Sequence, residues 1–381
     1  MNRKFRYMAL LMVTALMMCG CQGGGDEPGG NPTPQPGVKA IAFSGGLSED
    51  QNVNHARTRA GEVGLETYTK RFKVWGFKNG EGSSVNIVMN GYTVNWINNS
   101  ANTTASNSSG WEYVNQQGLG EMEQSIKYWD TTASAYRFFG VAGASETNNP
   151  TGNYLPNEAN PTYEVTYDAD AFNESKTPYY SHLWYGNSAD YGKPVQLEFI
   201  KPLSKVRFKF IFEDPNAAQD TELTGKNFRP SDGGTIKMKG KVTVTYPLTG
   251  TTKTESFAAT TEAEGITGFT QDYYEAGSIS KNGSGTVVSP YLNADESTSA
   301  LSKIYTVIPT PSGQSDYTLT VSVNGDPKTT TVPAKYMTWL PGYLYTYIFK
   351  IHVDGGVQFS KVQSAFTPWV TYDKPHTVYN W

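Results

Sequence analysis

Apolar and polar residues alternate along this chain in short runs separated by turn signals. In "KVRFKFIFED", Val206, Phe208, Phe210 and Phe212 share one face, with Lys205, Arg207 and Lys209 opposite. That two-residue period is the mark of a half-buried strand. "DYTLTVSVNGD" alternates Tyr317, Leu319, Val321 and Val323 with Thr and Ser, then reaches Asn324-Gly325, a hairpin-turn dipeptide. "TIKMKGKVTVTYP", "SSVNIVMNGYTVNWIN" and "YLYTYIFKIHV" read the same way, and almost nothing carries a helical period. The polar "NNSANTTASNSSG" (98–110) between two aromatic strands reads as the tip of a long hairpin. The pattern predicts an all-β protein built from β-sandwiches. A domain break is expected near Lys193, between the loop-rich 148–192 and the long paired run "PVQLEFIKPLSKVRFKFIF".

Composition agrees, with 13% aromatic residues, 25 Tyr, 38 Gly and 21 Pro. The N-terminus adds a destination. "MNRKFRYMALLMVTALMMCGCQGGGDE" opens with Arg3, Lys4 and Arg6 and continues in an uncharged, largely apolar stretch to Met18. This is a secretory signal, too short and wrongly flanked for a membrane span. It ends at a cysteine, and "MCGC" resembles the bacterial lipobox, where cleavage precedes an acylated Cys. Cys21 fits because Gly20 precedes it, whereas Met18 is too bulky before Cys19. Residues 1–20 then form a lipoprotein signal peptide, and 21–37 a Gly/Pro tether that cannot build a core.

Acylation of Cys21 leaves no free thiol in the mature chain, which excludes disulfides and a cysteine nucleophile. Loss of Arg3, Lys4 and Arg6 takes the formal charge from −4 to −7. An acidic body argues against nucleic acid as a partner and against adsorption to anionic lipid.

Catalytic chemistry is hard to assemble from the rest. His55, His182, His352 and His376 are not spaced for a metal helix or a Cys/His cluster. Asp168, Asp170 and Glu174 have loose calcium-ligand character but lack the glycine and final Glu of an EF-hand loop. A solvated loop is the simpler reading. Glu121 and Glu123 would share one side of a strand, with no context for a glycosidase pair. The expectation is a non-enzymatic protein without cofactor or metal. The aromatic stretches "YYSHLWYGN" and "GWEYVNQ" could stack on a sugar, although Trp and Tyr in strands are more often core.

Two short segments remain. Arg57 and Arg59, two of only eight arginines, sit one residue apart in the polar "NVNHARTRAGEV". They read either as solvated charge or as a target for an arginine-specific protease. The tail "GGVQFSKVQSAFTPWVTYDKPHTVYNW" (355–381) follows Gly355-Gly356 and alternates Val357, Phe359 and Lys361 with polar residues. A second run carries Phe366, Trp369 and Tyr372. By pattern alone these are the last strands of the C-terminal sandwich or a mobile extension.

With these residues in view, the chain resembles the fimbrillin family, the subunits of type V pili, and its minor-fimbrillin-like branch most closely. The resemblance rests on "IKYWDTTASAYRFFGVAG" (126–143), "PVQLEFIKPLSKVRFKF" (194–210) and "MTWLPGYLYTYIFKIHVDGGVQFSKVQSAFTPW" (337–369), together with the lipobox. It implies two transthyretin-like β-sandwich domains in tandem, at 60–192 and 193–381. It implies export as an outer-membrane lipoprotein, then removal of a first strand within 38–59 by an arginine-specific protease. Arg57 and Arg59 are the processing candidates, and Ile41 and Phe43 mark the removable strand "VKAIAFS". A C-terminal strand of the next subunit would then fill the groove, with Val357, Phe359, Phe366, Trp369 and Tyr372 as donor residues. The implied partners are copies of itself or related pilins, the protease, and a host or bacterial surface ligand. A membrane-retained anchor or accessory subunit of the same pilus, or a surface glycan-binding lipoprotein, is the alternative.

Overall fold

A computed structural model describes residues 38–47, 65, 69–79, 84–97, 110–114, 124–156, 160–213, 223–260, 264–270, 278–280, 286–288, 304–310 and 315–366. The architecture is all-β, as the alternation predicts. An eight-stranded sheet runs Phe43–Leu47, Val195–Ile200, Tyr179–Ser181, Ala135–Ala142, Arg71–Asn79, Val85–Trp96 and Trp111–Glu112, with Trp184–Gly186 paired to Ala135–Ala142 off this path. A four-stranded sheet, Ser256–Thr260, Lys239–Pro247, Thr162–Asp170 and Thr151–Leu155, stacks on one face. Phe139 lies flat on Tyr246 at 3.8 Å across that interface, flanked by Trp75, Phe77 and Tyr163. Ala135–Ala142 is buried at every position, which explains its run "AYRFFGVA", apolar but for Arg137.

A second pair of sheets follows. One holds Tyr305–Val307, Ser204–Phe212, Tyr343–Ile351 and Val357–Phe366; the other holds Phe269–Thr270, Leu223–Pro230, Tyr317–Val323 and Asp326–Val332. Phe208 and Phe210 of the first meet Phe228 and Phe349 in the shared core. The buried Trp339 indole donates to the Tyr347 hydroxyl at 2.9 Å, satisfying its one polar atom. The hairpin predicted at Asn324-Gly325 is present, both residues having positive φ (52° and 88°) as a two-residue turn requires.

Two sequence expectations need correction. The break expected near residue 193 falls inside the first sheet, because Val195–Ile200 pairs with both Phe43–Leu47 and Tyr179–Ser181. The chain changes sheet pair only at 201–203, and it then returns, since Lys239–Pro247 pairs along its whole length with Thr162–Asp170. The first sheet pair therefore draws on 38–200 and 239–260. Secondly, the polar face of Ser204–Phe212 is not a solvent face. Lys209 is 5% exposed, and the Arg207 Nε donates to the Thr346 hydroxyl at 2.8 Å. The adjacent Lys201 is 2% exposed, with its Nζ on the Thr177 carbonyl and over the Tyr179 ring. Burial pushes the Lys201 ammonium pKa down to about 7.

The turn after the returning strand is tied to the large sheet by one guanidinium. Arg137 is 2% exposed and donates to Asn79 Oδ1 (2.6 Å), the Leu248 carbonyl (2.8 Å) and the Gly250 carbonyl (2.8 Å). No carboxylate is among these partners, so the charge is held by carbonyl dipoles. Arg137→Met is expected to cost on the order of 3 kcal/mol, because charge-assisted bonds to buried carbonyls are lost together. Urea unfolding measures it, with exposed Arg229→Met as the control that should stay within about 0.5 kcal/mol. Equal effects would refute the tie.

Candidate assembly site around the first strand

The segment 38–47 is bonded on both sides. Its first half faces residues 127–129: the Ile41 amide donates to the Lys127 carbonyl (2.8 Å), and Trp129 donates to the Lys39 carbonyl (3.1 Å). Its second half runs parallel to Val195–Ile200, with Phe43 opposite Val195 and Leu47 opposite Phe199. Val195 donates to the Ala42 carbonyl at 2.7 Å, where the segment passes from one partner to the other. Residues 38–47 thus bridge Val195–Ile200, at one end of the large sheet, and residues 127–129.

Ile41 (0% exposed) and Phe43 (1%) are buried, as their shared face predicts. Phe43 sits edge-on to Phe72, Tyr113 and Phe138, with ring centroids 5.6 to 6.2 Å away. Tyr113, just past the far end of the sheet, places its hydroxyl 3.0 Å from the Ile41 carbonyl and accepts the Lys127 amide at 3.0 Å. Burial holds that phenol far above its usual range, so it stays a neutral donor. Leu65 is also fully buried beside this strand. Sequence reading missed Tyr113 and Leu65 as parts of the site. Tyr113 lies in "GWEYVNQ", which the aromatic pattern offers equally to a sugar platform.

No family model and no curated protein sequence matches the chain. Among solved structures it is similar to a fimbrial protein from Bacteroides vulgatus ATCC 8482, at 15% identity and a TM-score of 0.48, covering 87% of this chain and 100% of that one. It is also similar to a fimbrial assembly protein from Parabacteroides distasonis ATCC 8503, at 11% identity and a TM-score of 0.36, covering 86% and 99%.

The remaining candidates fall elsewhere. Cys21, Arg57, Arg59, Trp369 and Tyr372 lie outside the described residues, as do Glu121, Glu123, His55 and His376. The described part of the tail is a strand of its own sheet: Val357–Phe366 runs antiparallel to Tyr343–Ile351 at the edge. Gly355 (φ 80°) and Gly356 form the tight turn before it. Val357 and Phe359 are half-buried, Phe359 resting against Tyr336, Tyr347 and Phe349. Of Phe366 only the backbone is placed, opposite Tyr343.

The acidic cluster does not converge. Asp168 pairs with Lys241 (2.7 Å), Asp170 accepts the amides of Phe172 and Asn173, and Glu174 accepts the Thr306 hydroxyl. Among the described residues no group of three His, Cys, Asp or Glu side chains could hold a metal. Trp111, Tyr113, Tyr179 and Tyr180 are core residues, and the Tyr185 ring is engaged by Arg137 and Lys253. These stretches do not form an open stacking platform. His352 pairs with Glu213 at 2.9 Å, just beyond its strand.

His182 pairs with Glu255 at 2.7 Å, and the other carboxylate oxygen accepts the Leu183 amide at 3.0 Å. The hydrogen bond raises the His182 pKa above 6.5; burial pushes the Glu255 carboxyl up, but the His182 hydrogen bond and charge together with backbone amides, that of Leu183 among them, hold it below 4.5. The histidine contribution is therefore complete below pH 6.5 and is lost as pH rises through its folded value. The glutamate contribution is present above pH 4.5 and is lost as pH falls through its folded value. Melting-temperature differences between wild type and Glu255→Gln should be largest between these limits; a difference growing above pH 8 would contradict the pairing. At the first strand, Phe43→Ala should cost about 3 to 5 kcal/mol. It should also free the backbone at Lys39, whose side chain is already exposed, for cleavage by trypsin in the otherwise folded protein. Unchanged resistance at Lys39 would show that the Phe43 box does not hold the strand.

Proposed function

We propose that this protein is a structural, non-enzymatic subunit of a cell-surface pilus, exported as a lipoprotein and assembled by exchange of its first strand. The observation that carries this reading is the seating of residues 38–47. They complete the edge of the large sheet through main-chain hydrogen bonds and two buried side chains, and their connection to the body contains Arg57 and Arg59. Main-chain pairing is generic, so another extended segment can replace it, while alternate side chains fill the pockets.

The linker explains why a cut would trigger exchange. While it is intact, the strand faces its groove at an effective concentration on the order of millimolar. After cleavage that advantage disappears, and the strand competes as a free peptide. Burial of Ile41 and Phe43 is worth about 3 to 6 kcal/mol, enough to seat the strand and too little to hold a detached one against a strand that belongs to a folded subunit. An incoming strand that belongs to a folded subunit would bury more and persist. Acylation at Cys21 would hold the precursor at the outer membrane, and cleavage would release body and lipid from each other. The donor strand is assigned to the tail from Val357 onward, which lies at a sheet edge after a glycine turn.

The experiment is N-terminal sequencing of the surface form, with the double variant Arg57→Ala and Arg59→Ala. Wild type is expected to begin at Thr58 or Ala60 and to give polymer ladders in mild SDS. The double variant should begin at acylated Cys21 and remain monomeric. A wild-type chain that begins at Cys21 would refute processing and favour a retained anchor subunit.

A further inference from the structure

The site also carries information on which strand can enter. Gly45 lies two residues past Phe43 on the same face, opposite Leu197. Its φ lies outside the left-handed region, so the backbone alone would accept any residue. Space does not. A Cβ built there would meet Leu65 Cδ2 at 2.9 Å, Phe72 Cε1 at 3.1 Å and Phe199 Cε2 at 3.5 Å. Leu65 ends in a flexible methyl and can yield to alanine, but the Phe72 ring is wedged against Phe43, Trp111 and Phe199. The next residue behaves oppositely: a Cβ at Gly46 meets nothing within 4 Å.

We propose that the groove under the first strand is size-selective at the Gly45 position, and that its occupant in the assembled state is a strand from a different subunit. That strand reads large apolar, any, aromatic, any, glycine or alanine, parallel to Val195–Ile200. This rests on the strand-exchange reading. The exclusion of a second copy comes from the tail itself. In the register that puts Val357 and Phe359 in the Ile41 and Phe43 pockets, Lys361 falls at the Gly45 position. The other tail aromatics do no better. Phe366, Trp369, Tyr372 and Tyr379 are followed two residues later by Pro368, Thr371, Lys374 and Trp381. None is glycine or alanine. A lysine there would press its Cβ and stem against Leu65, Phe72 and Phe199, where glycine leaves the space free. Leu65 follows Arg59 by six residues, so the body keeps this gate after a cut at either arginine.

The test uses the full chain nicked by trypsin between residues 55 and 61, challenged with excess fluorescein-labelled peptides. Four are compared: Val38–Leu47, the same with Gly45→Val, the same with Gly46→Val, and the tail peptide Val357–Phe366. Uptake is read as label co-eluting with protein on gel filtration. The parent and Gly46→Val peptides should be taken up equally, and the Gly45→Val and tail peptides at least ten-fold less. Equal uptake of the Gly45→Val and Gly46→Val peptides overturns the size rule. Tail uptake matching the parent overturns the exclusion of a second copy. If the parent peptide itself is refused, strand exchange fails as a function and the proposed partner falls with it. The size rule is then decided on the intact chain, where Gly45→Val should lower the melting temperature and Gly46→Val should not; equal shifts overturn it.

Discussion

The seating of residues 38–47 between Val195–Ile200 and residues 127–129 is the constraint on which the N-terminal half of this structure depends. Without that segment Val195–Ile200 has one neighbour in place of two, the amide of Trp129 loses the Lys39 carbonyl, and the carbonyl of Lys127 loses the Ile41 amide and keeps the Tyr113 hydroxyl. Phe72, Tyr113 and Phe138 lose the ring that wedges them together. Unpaired main-chain groups beside an apolar trough are costly in water and prone to pair with another strand. The same geometry that seats the strand thus defines what must replace it when it leaves.

Much of the fold is written in the two-residue alternation. Lys239–Pro247, Tyr317–Val323 and Tyr343–Ile351 lie where the pattern puts them. Alternation reports that a segment is a strand and which face is buried, but not which sheet receives it. The pairing of Lys239–Pro247 with Thr162–Asp170 joins residues about 80 positions apart, and no local signal encodes it. The expected break near 193 failed for that reason. The charged face of Ser204–Phe212 misled for another: lysine and arginine carry long apolar stems and can cap carbonyls inside a protein, as Lys201 does on Thr177.

The candidate site was legible in part. Ile41 and Phe43 were marked by spacing, because two large apolar side chains at period two in a polar context need a pocket. Their partners were not, since Tyr113, Phe138 and Val195 reach them only through the fold. Gly45 was invisible as a specificity element: a glycine in a strand usually marks weakness or a bulge. Only the positions of Leu65 and Phe72 turn its missing side chain into a requirement. For the tail, the pattern fits an edge strand of its own sheet and a donor equally well, because both need alternate apolar side chains on one face. The folded chain occupies the first state, with Phe359 half-buried rather than fully enclosed.

Main chain and side chains divide the work at the first strand. Hydrogen bonds to Lys127, Trp129 and Val195 accept any extended segment and supply adhesion without choice. The Phe43 box supplies most of the apolar gain, and several bulky side chains could fill it. Discrimination needs a position where the wrong residue is repelled rather than merely less attracted. The wall of Leu65, Phe72 and Phe199 at Gly45 has that property, because overpacking there displaces rings already fixed by their neighbours. Under the proposed exchange, affinity would come from generic pairing and the order of subunits from one crowded position. Subunits could then share one mechanism of joining while differing in whom they join.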